Sequence, residues 1–337
     1  MIRTSPSALG RAREVLAPAL QECLGRLSPE VGRVVGYHFG LTDAEGRPSG
    51  GDGGKAVRPA LALLSAEAAG APTEVGLPGA LAVELVHNFS LLHDDVMDHD
   101  LERRHRPTAW ALFGVGQAIV TGDALMVLAQ DLLLEPPSEE RSRAAVALSR
   151  ATAAMIAGQA EDLSFESRLD VSIEECRAMS AHKTGALLSC AASIGAILAG
   201  AEPAVVDALA AFGLHLGLSF QAVDDVLGIW GDPEVTGKPA AGDLLAHKKT
   251  LPVAIALQTP GPERDALVRL LSNGGLSEAT VPTAVALLER TGAREAARGE
   301  AERELELAID ALRSVPLDGA ARDQLAEVAR FVAARDF

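Results

Sequence analysis

Residues 184–201 carry no charged side chain, and that stretch limits the possible folds more than any other feature. An uncharged helix of about 18 residues reaches the length that can cross a bilayer. Here Ser189 and Ser193 and three glycines, Gly185, Gly195 and Gly200, interrupt the run, and no aromatic belt flanks it. A helix buried on all sides within a large soluble bundle fits better, with no membrane span. The remaining sequence agrees. Only 3% of residues are aromatic while Ala and Leu dominate, which favours helix over strand.

Helical periodicity places helices near 7–36, 57–70, 77–99, 108–133, 138–166, 172–199, 203–231, 249–258, 262–273, 280–291, 294–314 and 319–335, with Gly and Pro at the breaks. No alternating strand pattern and no solenoid-length repeat is visible. The expectation is an all-α, single-domain bundle over residues 1–337, with the Gly-rich segment 41–54 as a mobile loop. Cys23, Cys176 and Cys190 lack metal-ligand spacing and read as core thiols of a reduced, cytoplasmic protein. The first residues show no apolar leader pattern, so no signal peptide is expected. A net charge of -16 argues against nucleic acid as a partner. Any anionic ligand must then be held locally, by a cation or by a few placed Lys and Arg.

Two acidic clusters each end an apolar helix. Asp94 and Asp98 lie one turn apart and share a helix face, with Leu91 and His87 further back along it. Two carboxylates at that spacing call for a divalent cation or for water. Mg²⁺ suits such a site because it takes one or two carboxylates, completing its shell with waters and phosphates. Alone, the pair would pass for a solvated helix end, but the apolar approach through Phe89 to Leu92 points to acids lining a cavity. The second cluster, Asp224-Asp225, follows the apolar run from 212 to 223. Gly228 stands where a third acid would complete the pattern, and Asp232 lies two turns beyond Asp225.

Basic residues supply the complement. Gly53-Gly54-Lys55-Ala56-Val57-Arg58-Pro59 puts Lys55 and Arg58 at a helix start, where the dipole also favours an anion. It is not a P-loop: Ser49 replaces the first Gly and Ala56 the Ser/Thr. Arg103-Arg104 follow the first cluster and can fork onto different phosphates. Lys183-Thr184, Lys238 and Lys248-Lys249-Thr250 are further basic points, each read alone as a surface lysine.

In this order the motifs resemble those of the trans-isoprenyl diphosphate synthases, the polyprenyl synthetase family. The likeness rests on Gly53 to Pro59, His87, Asp-Asp-Val-Met-Asp at 94–98 and Arg103-Arg104. It continues through Lys183-Thr184, Phe220-Gln221 with Asp224-Asp225, Gly231-Asp232, Thr236-Gly237-Lys238 and the run from Lys248 to Pro252. The resemblance implies an all-α bundle around a deep central cavity, usually a homodimer. It implies that Asp94 and Asp98 bind two Mg²⁺ and Asp224 a third, with Asp95 and Asp225 supporting. Arg103, Lys183 and Lys238 would hold an allylic diphosphate, and Lys248 would also bind substrate. Lys55, Arg58, His87 and Arg104 would hold the diphosphate of isopentenyl diphosphate, and Thr184 and Gln221 would face the developing cation. Two departures stand out: Ala56 replaces an Arg and Gly228 an Asp.

In similar enzymes an aromatic five residues before the first Asp limits product length. Here that residue is Phe89, beside the small Ser90, and the cluster has no two-residue insertion. Geranylgeranyl diphosphate is the expected product, with farnesyl diphosphate as the alternative. A class I terpene cyclase would have no reason to keep Lys55, Arg58 and His87. A non-catalytic subunit of a heteromeric synthase would be expected to lose acids that 94–98 retains.

Overall fold

The computed structural model describes residues 5–50, 54–231, 241–272 and 276–334. The chain is all-α, and it divides into two compact units that are described separately.

The first unit comprises residues 1–150, 190–210 and 315–328. Its helices are α1 (Ser7–Leu24), α2 (Pro29–His38), α3 (Val57–Ala68), α4 (Thr73–Met97), α5 (Ala109–Phe113) and α6 (Val115–Leu134). The expected helix over 7–36 is broken, because Pro29 starts α2 at its first turn, with Ser28 capping. The expected helix over 108–133 is broken too, at Gly114 with φ 89°. α4 packs chiefly against α6 and α3. It is apolar nearly all round, as a central helix must be.

The sequence showed no strand, yet β1 (Glu102–Arg103) and β2 (Arg106–Pro107) pair antiparallel. The period-2 signal fails here because each strand is two residues long. Arg104 (φ 54°) and His105 (φ 59°) form the connecting turn, both left-handed. Tyr37 braces this hairpin: its hydroxyl donates to the Pro107 carbonyl at 2.8 Å, and Arg106 lies 4.2 Å over its ring. Residues 41–49 close on themselves as a turn, with Thr42 bridging Pro48 and the Asp43 carboxylate accepting the Glu45 and Arg47 N–H groups.

The second unit comprises residues 151–189, 211–314 and 329–337. Long helices α7 (Glu139–Phe165), α9 (Ala186–Leu198) and α10 (Pro203–Trp230) contribute segments to it, and α8 (Ile173–Ser180) lies within it. A five-residue π-helical turn, Ala181–Gly185, joins α8 to α9. Shorter helices Leu251–Gln258, Pro262–Ser272 and Val281–Arg290 lead to Ala293–Arg313. Phe165, Cys176, Met179, Ala222, Val223 and Val226 form one core cluster, directly behind the second acidic pair.

Among the described residues four helices, Thr73–Met97, Val115–Leu134, Ile173–Leu198 and Pro203–Trp230, are long and apolar enough to cross a membrane by length and composition. Most of the uncharged run falls in the third, whose apolar window is 67% buried within the protein. Its Gly195 lies against the α3 backbone and donates its N–H to Ser65 Oγ at 2.9 Å. Of the three glycines that interrupt the run, Gly195 is therefore a packing contact.

Candidate active site

At the end of α4 the three acids divide by burial. Asp94 and Asp98 are half-buried on one stripe, whereas Asp95 is 1% exposed. Asp95 Oδ1 accepts from Arg103 Nε at 2.7 Å and lies 2.6 Å from Nη2. Burial raises the Asp95 pKa above the usual carboxylate range, and Arg103 opposes that rise. Its Oδ2 is enclosed and has no hydrogen-bond partner. The half-buried pair shares one stripe of α4 while the inward acid anchors an arginine, a division the spacing alone did not reveal.

Of the residues expected to hold an anion, Arg58, His87 and Arg104 lie near one another in the first unit, and Lys55 is exposed just before α3. The Arg104 guanidinium lies against Gly54, whose φ of 90° turns the chain into Lys55. The Arg58 Nε is enclosed without a partner, and burial lowers its pKa to about 10 while Glu84 pulls it up. Arg58 stays charged at neutral pH. Burial holds His87 well below its ordinary value, with Arg58 and Arg104 adding repulsion. His87 is therefore neutral at pH 7, and a hydrogen-bond donor there rather than a cation. Glu84 steadies the floor, accepting from Asn88 Nδ2 at 2.9 Å.

Sequence reasoning missed His38. It lies close to Arg103, Arg104 and Asn88, its Nε2 is enclosed and unpartnered, and burial lowers its pKa to about 3. A single His in an apolar helix offers no signal that would separate it from core.

Further along α4, Phe89 is 6% exposed. Ser90 Oγ donates to the His87 carbonyl at 2.8 Å, which leaves it no free proton.

In the second unit, Lys183 sits in the π-helical turn and donates to Asp162 Oδ2 at 2.5 Å. Lys248 Nζ lies 3.9 Å from the same oxygen. Asp162 thus organises two of the expected diphosphate ligands, and it was also missed. Gln159, one turn earlier on α7, keeps both amide atoms enclosed and unpartnered. Lys249, by contrast, is 4% exposed and donates to the carbonyls of Glu166 (2.9 Å) and His247 (2.7 Å). Adjacent lysines therefore do different work: Lys249 pins the chain, and Lys248 reaches the carboxylate.

A hydrogen-bonded line runs inward from Thr184. Its Oγ1 donates to Gln221 Oε1 at 2.6 Å, and Gln221 Nε2 donates to Asp225 Oδ1 at 2.8 Å. Asp225 Oδ2 accepts the Leu251 N–H at 2.9 Å. Burial pushes the Asp225 carboxyl up to about 7; the Gln221 and Leu251 donors oppose this, and Asp243 and Asp224 add to it. Both Asp225 oxygens are committed to the protein, while Asp224 beside it is half-buried. A side chain at Gly228 would collide with the Asp243 carboxylate, so a second acid already fills the space of the missing one. Lys238 and Asp232 lie outside the described residues.

Could a metal fit here? Among the described residues no three His, Cys, Asp or Glu side chains converge as a preformed cage. The carboxylates of Asp94 and Asp98 on one stripe of α4, with a buried orphan oxygen at Asp95, and the half-buried Asp224 of the second unit are hard oxygen donors of the kind that suits Mg²⁺ completed by water and phosphate.

The sequence profile of the polyprenyl synthetase family matches residues 49–288. A (2E,6E)-farnesyl diphosphate synthase of Mycobacterium tuberculosis is 44% identical over 339 residues, spanning 99% of this chain and 94% of its own. A geranylgeranyl diphosphate synthase of the same organism is 40% identical over 306 residues, 90% of this chain and 87% of its own. The crystal structure of a polyprenyl synthetase from Streptomyces coelicolor A3(2) superposes with TM-score 0.92 at 49% identity, covering 98% and 99% of the two chains. That of a geranylgeranyl pyrophosphate synthase from Corynebacterium glutamicum, complexed with isoprenyl diphosphate and magnesium, gives 0.83 at 27% identity over 99% and 100%.

Proposed function

The chain belongs to the polyprenyl synthetase family, and from that premise we propose that it joins isopentenyl diphosphate head-to-tail to an allylic diphosphate, with geranylgeranyl diphosphate as product. The observation that carries this reading is the proximity of Arg58 and Arg104 to His87, which lies two turns before Asp94 on α4. An enzyme with one diphosphate substrate has no use for that second basic group.

Asp94, Asp98 and Asp224 are the residues that would hold Mg²⁺, three ions in all. When bound, the metal neutralises charge building on the departing diphosphate. Arg103, Lys183, Lys248 and Lys238 hold the allylic diphosphate. Lys55, Arg58 and Arg104 grip the diphosphate of isopentenyl diphosphate by charge, and neutral His87 donates a hydrogen bond to it. Thr184 gives its proton to Gln221, so the Thr184 oxygen presents lone pairs to the cation left when the allylic C–O bond breaks. Asp225 fixes the Gln221 amide so that its oxygen, not its NH₂, faces Thr184.

Phe89 sets product length in this reading. The 44% identity to a farnesyl diphosphate synthase favours farnesyl diphosphate as the alternative. A homodimer is supported by an apolar stripe on α6, Val120, Val127 and Leu134 at seven-residue spacing, exposed by 54%, 56% and 46%. The three buried free thiols fit a reducing, cytoplasmic setting. The decisive experiment incubates the purified protein with Mg²⁺, isopentenyl diphosphate and each allylic diphosphate in turn, then sizes the products. Condensation with no primer would return a non-catalytic subunit to the front. Light scattering of the wild type and Val127→Asp reads the dimer.

A further inference from the structure

Phe89 does not stand alone. One turn along α4, the His93 ring meets it edge-on, with centroids 4.9 Å apart and planes at 73°. His93 Nε2 lies 3.0 Å from the carbonyl oxygen of Ile119 on α6, so this nitrogen carries the proton and donates it. The exposed Asp123 carboxylate stands 3.8 Å away and favours the same tautomer. The ring can reach that carbonyl only because residue 122 is glycine: a Cβ there would overlap His93 Nε2 and Cδ2. The bare backbone of α6 is thus a seat for the imidazole, and the imidazole is a stop against which the Phe89 ring rests.

We propose that His93 and Gly122 are positioning residues for product length, a brace that fixes the Phe89 ring by tethering its neighbour to α6. An isolated phenyl ring on a helix can hop between rotamers and admit a longer chain part of the time. A ring held edge-on by an imidazole that is itself hydrogen-bonded to another helix loses that freedom. The stop is then set by three residues on two helices. This rests on the reading of the chain as a prenyl diphosphate synthase with Phe89 facing the growing product.

The test sizes products made from excess isopentenyl diphosphate by the wild type, Phe89→Ala, His93→Ala, His93→Gln, Gly122→Ala and the double variant Phe89→Ala/His93→Ala. Circular dichroism accompanies each. His93→Ala and Gly122→Ala are expected to raise the fraction of products longer than the wild-type product at least about threefold. His93→Gln, which retains a donor for Ile119, is expected to recover part of the wild-type distribution. The double variant should match Phe89→Ala alone, because residues acting through one another do not add.

A purely structural role for His93 would lower the yield of folded protein without moving the length distribution. If Phe89→Ala lengthens products while His93→Ala, Gly122→Ala and His93→Gln all keep the wild-type distribution, the brace is overturned. A double variant longer than Phe89→Ala overturns it as well, and so does an unchanged product from Phe89→Ala. Should His93→Ala fail to fold, Gly122→Ala and His93→Gln decide between these outcomes. A wild type that condenses nothing would instead defeat the synthase reading beneath the proposal.

Discussion

Arg103 and Asp95 form an ion pair in which the carboxylate is 1% exposed and the guanidinium 31%. The middle acid of the first cluster therefore holds an arginine in place, and the two removals are unequal. Asp95→Asn keeps a hydrogen-bond acceptor and should lower stability by about 2 kcal/mol. Arg103→Ala strands a buried carboxylate and should lower it by about 3–5 kcal/mol. Urea denaturation of both variants gives the order, and equal losses would contradict the pairing.

Chelation should abolish condensation reversibly, and Asp94→Ala or Asp98→Ala should reduce kcat by about 10³-fold, equivalent to about 4 kcal/mol of lost charge stabilisation. Asp225→Asn should act differently, since both Asp225 oxygens serve Gln221 and Leu251. The Mg²⁺ concentration giving half-maximal rate should rise in the first two variants and stay near the wild-type value in the third.

Gly228→Asp would restore the acid expected from the family resemblance, yet its side chain would run into Asp243. The substitution should destabilise by about 1–3 kcal/mol through overpacking and like charge. Adding Asp243→Gly should recover most of that loss. Thermal midpoints of the two singles and the double close the cycle, and simple additivity would mean the two sites do not share space.

Acid should weaken the fold through two histidines. Burial holds His38 at about 3 and His87 well below the ordinary value, while the unfolded chain titrates near about 6.5. Below that pH the unfolded state takes up protons that the folded state refuses, so stability is complete above about 6.5 and declines as pH falls toward 3. His38→Gln should flatten the decline between pH 6.5 and 4 by up to about 1.4 kcal/mol per pH unit. Denaturation midpoints across that range report the slope; an unchanged slope would place His38 in solvent.

Much of the fold was legible because long amphipathic and apolar helices announce themselves by period. The breaks at Pro29 and Gly114 were harder, since the hydrophobic phase runs on across them. Residue types in motif order pointed to Asp94, Asp98, Asp224, Arg58 and His87. Their partners were not legible: Asp162 meets Lys183 across 21 residues, and Asp225 meets the Leu251 N–H across 26. Contacts of that kind depend on how helices pack, and no local pattern encodes them. Lys248 and Lys249 make the point most sharply, as neighbours of one type with opposite fates.

The hairpin at 102–107 places Arg104 in a turn of two left-handed residues. Such a turn fixes the number of residues as firmly as their kind. Adding or deleting one would reverse which side of the ribbon each following side chain occupies. Related sequences should therefore vary in the letters of this segment far more readily than in its length, and an alignment gap falling between Asp98 and Pro107 would mark a chain that has abandoned the second diphosphate.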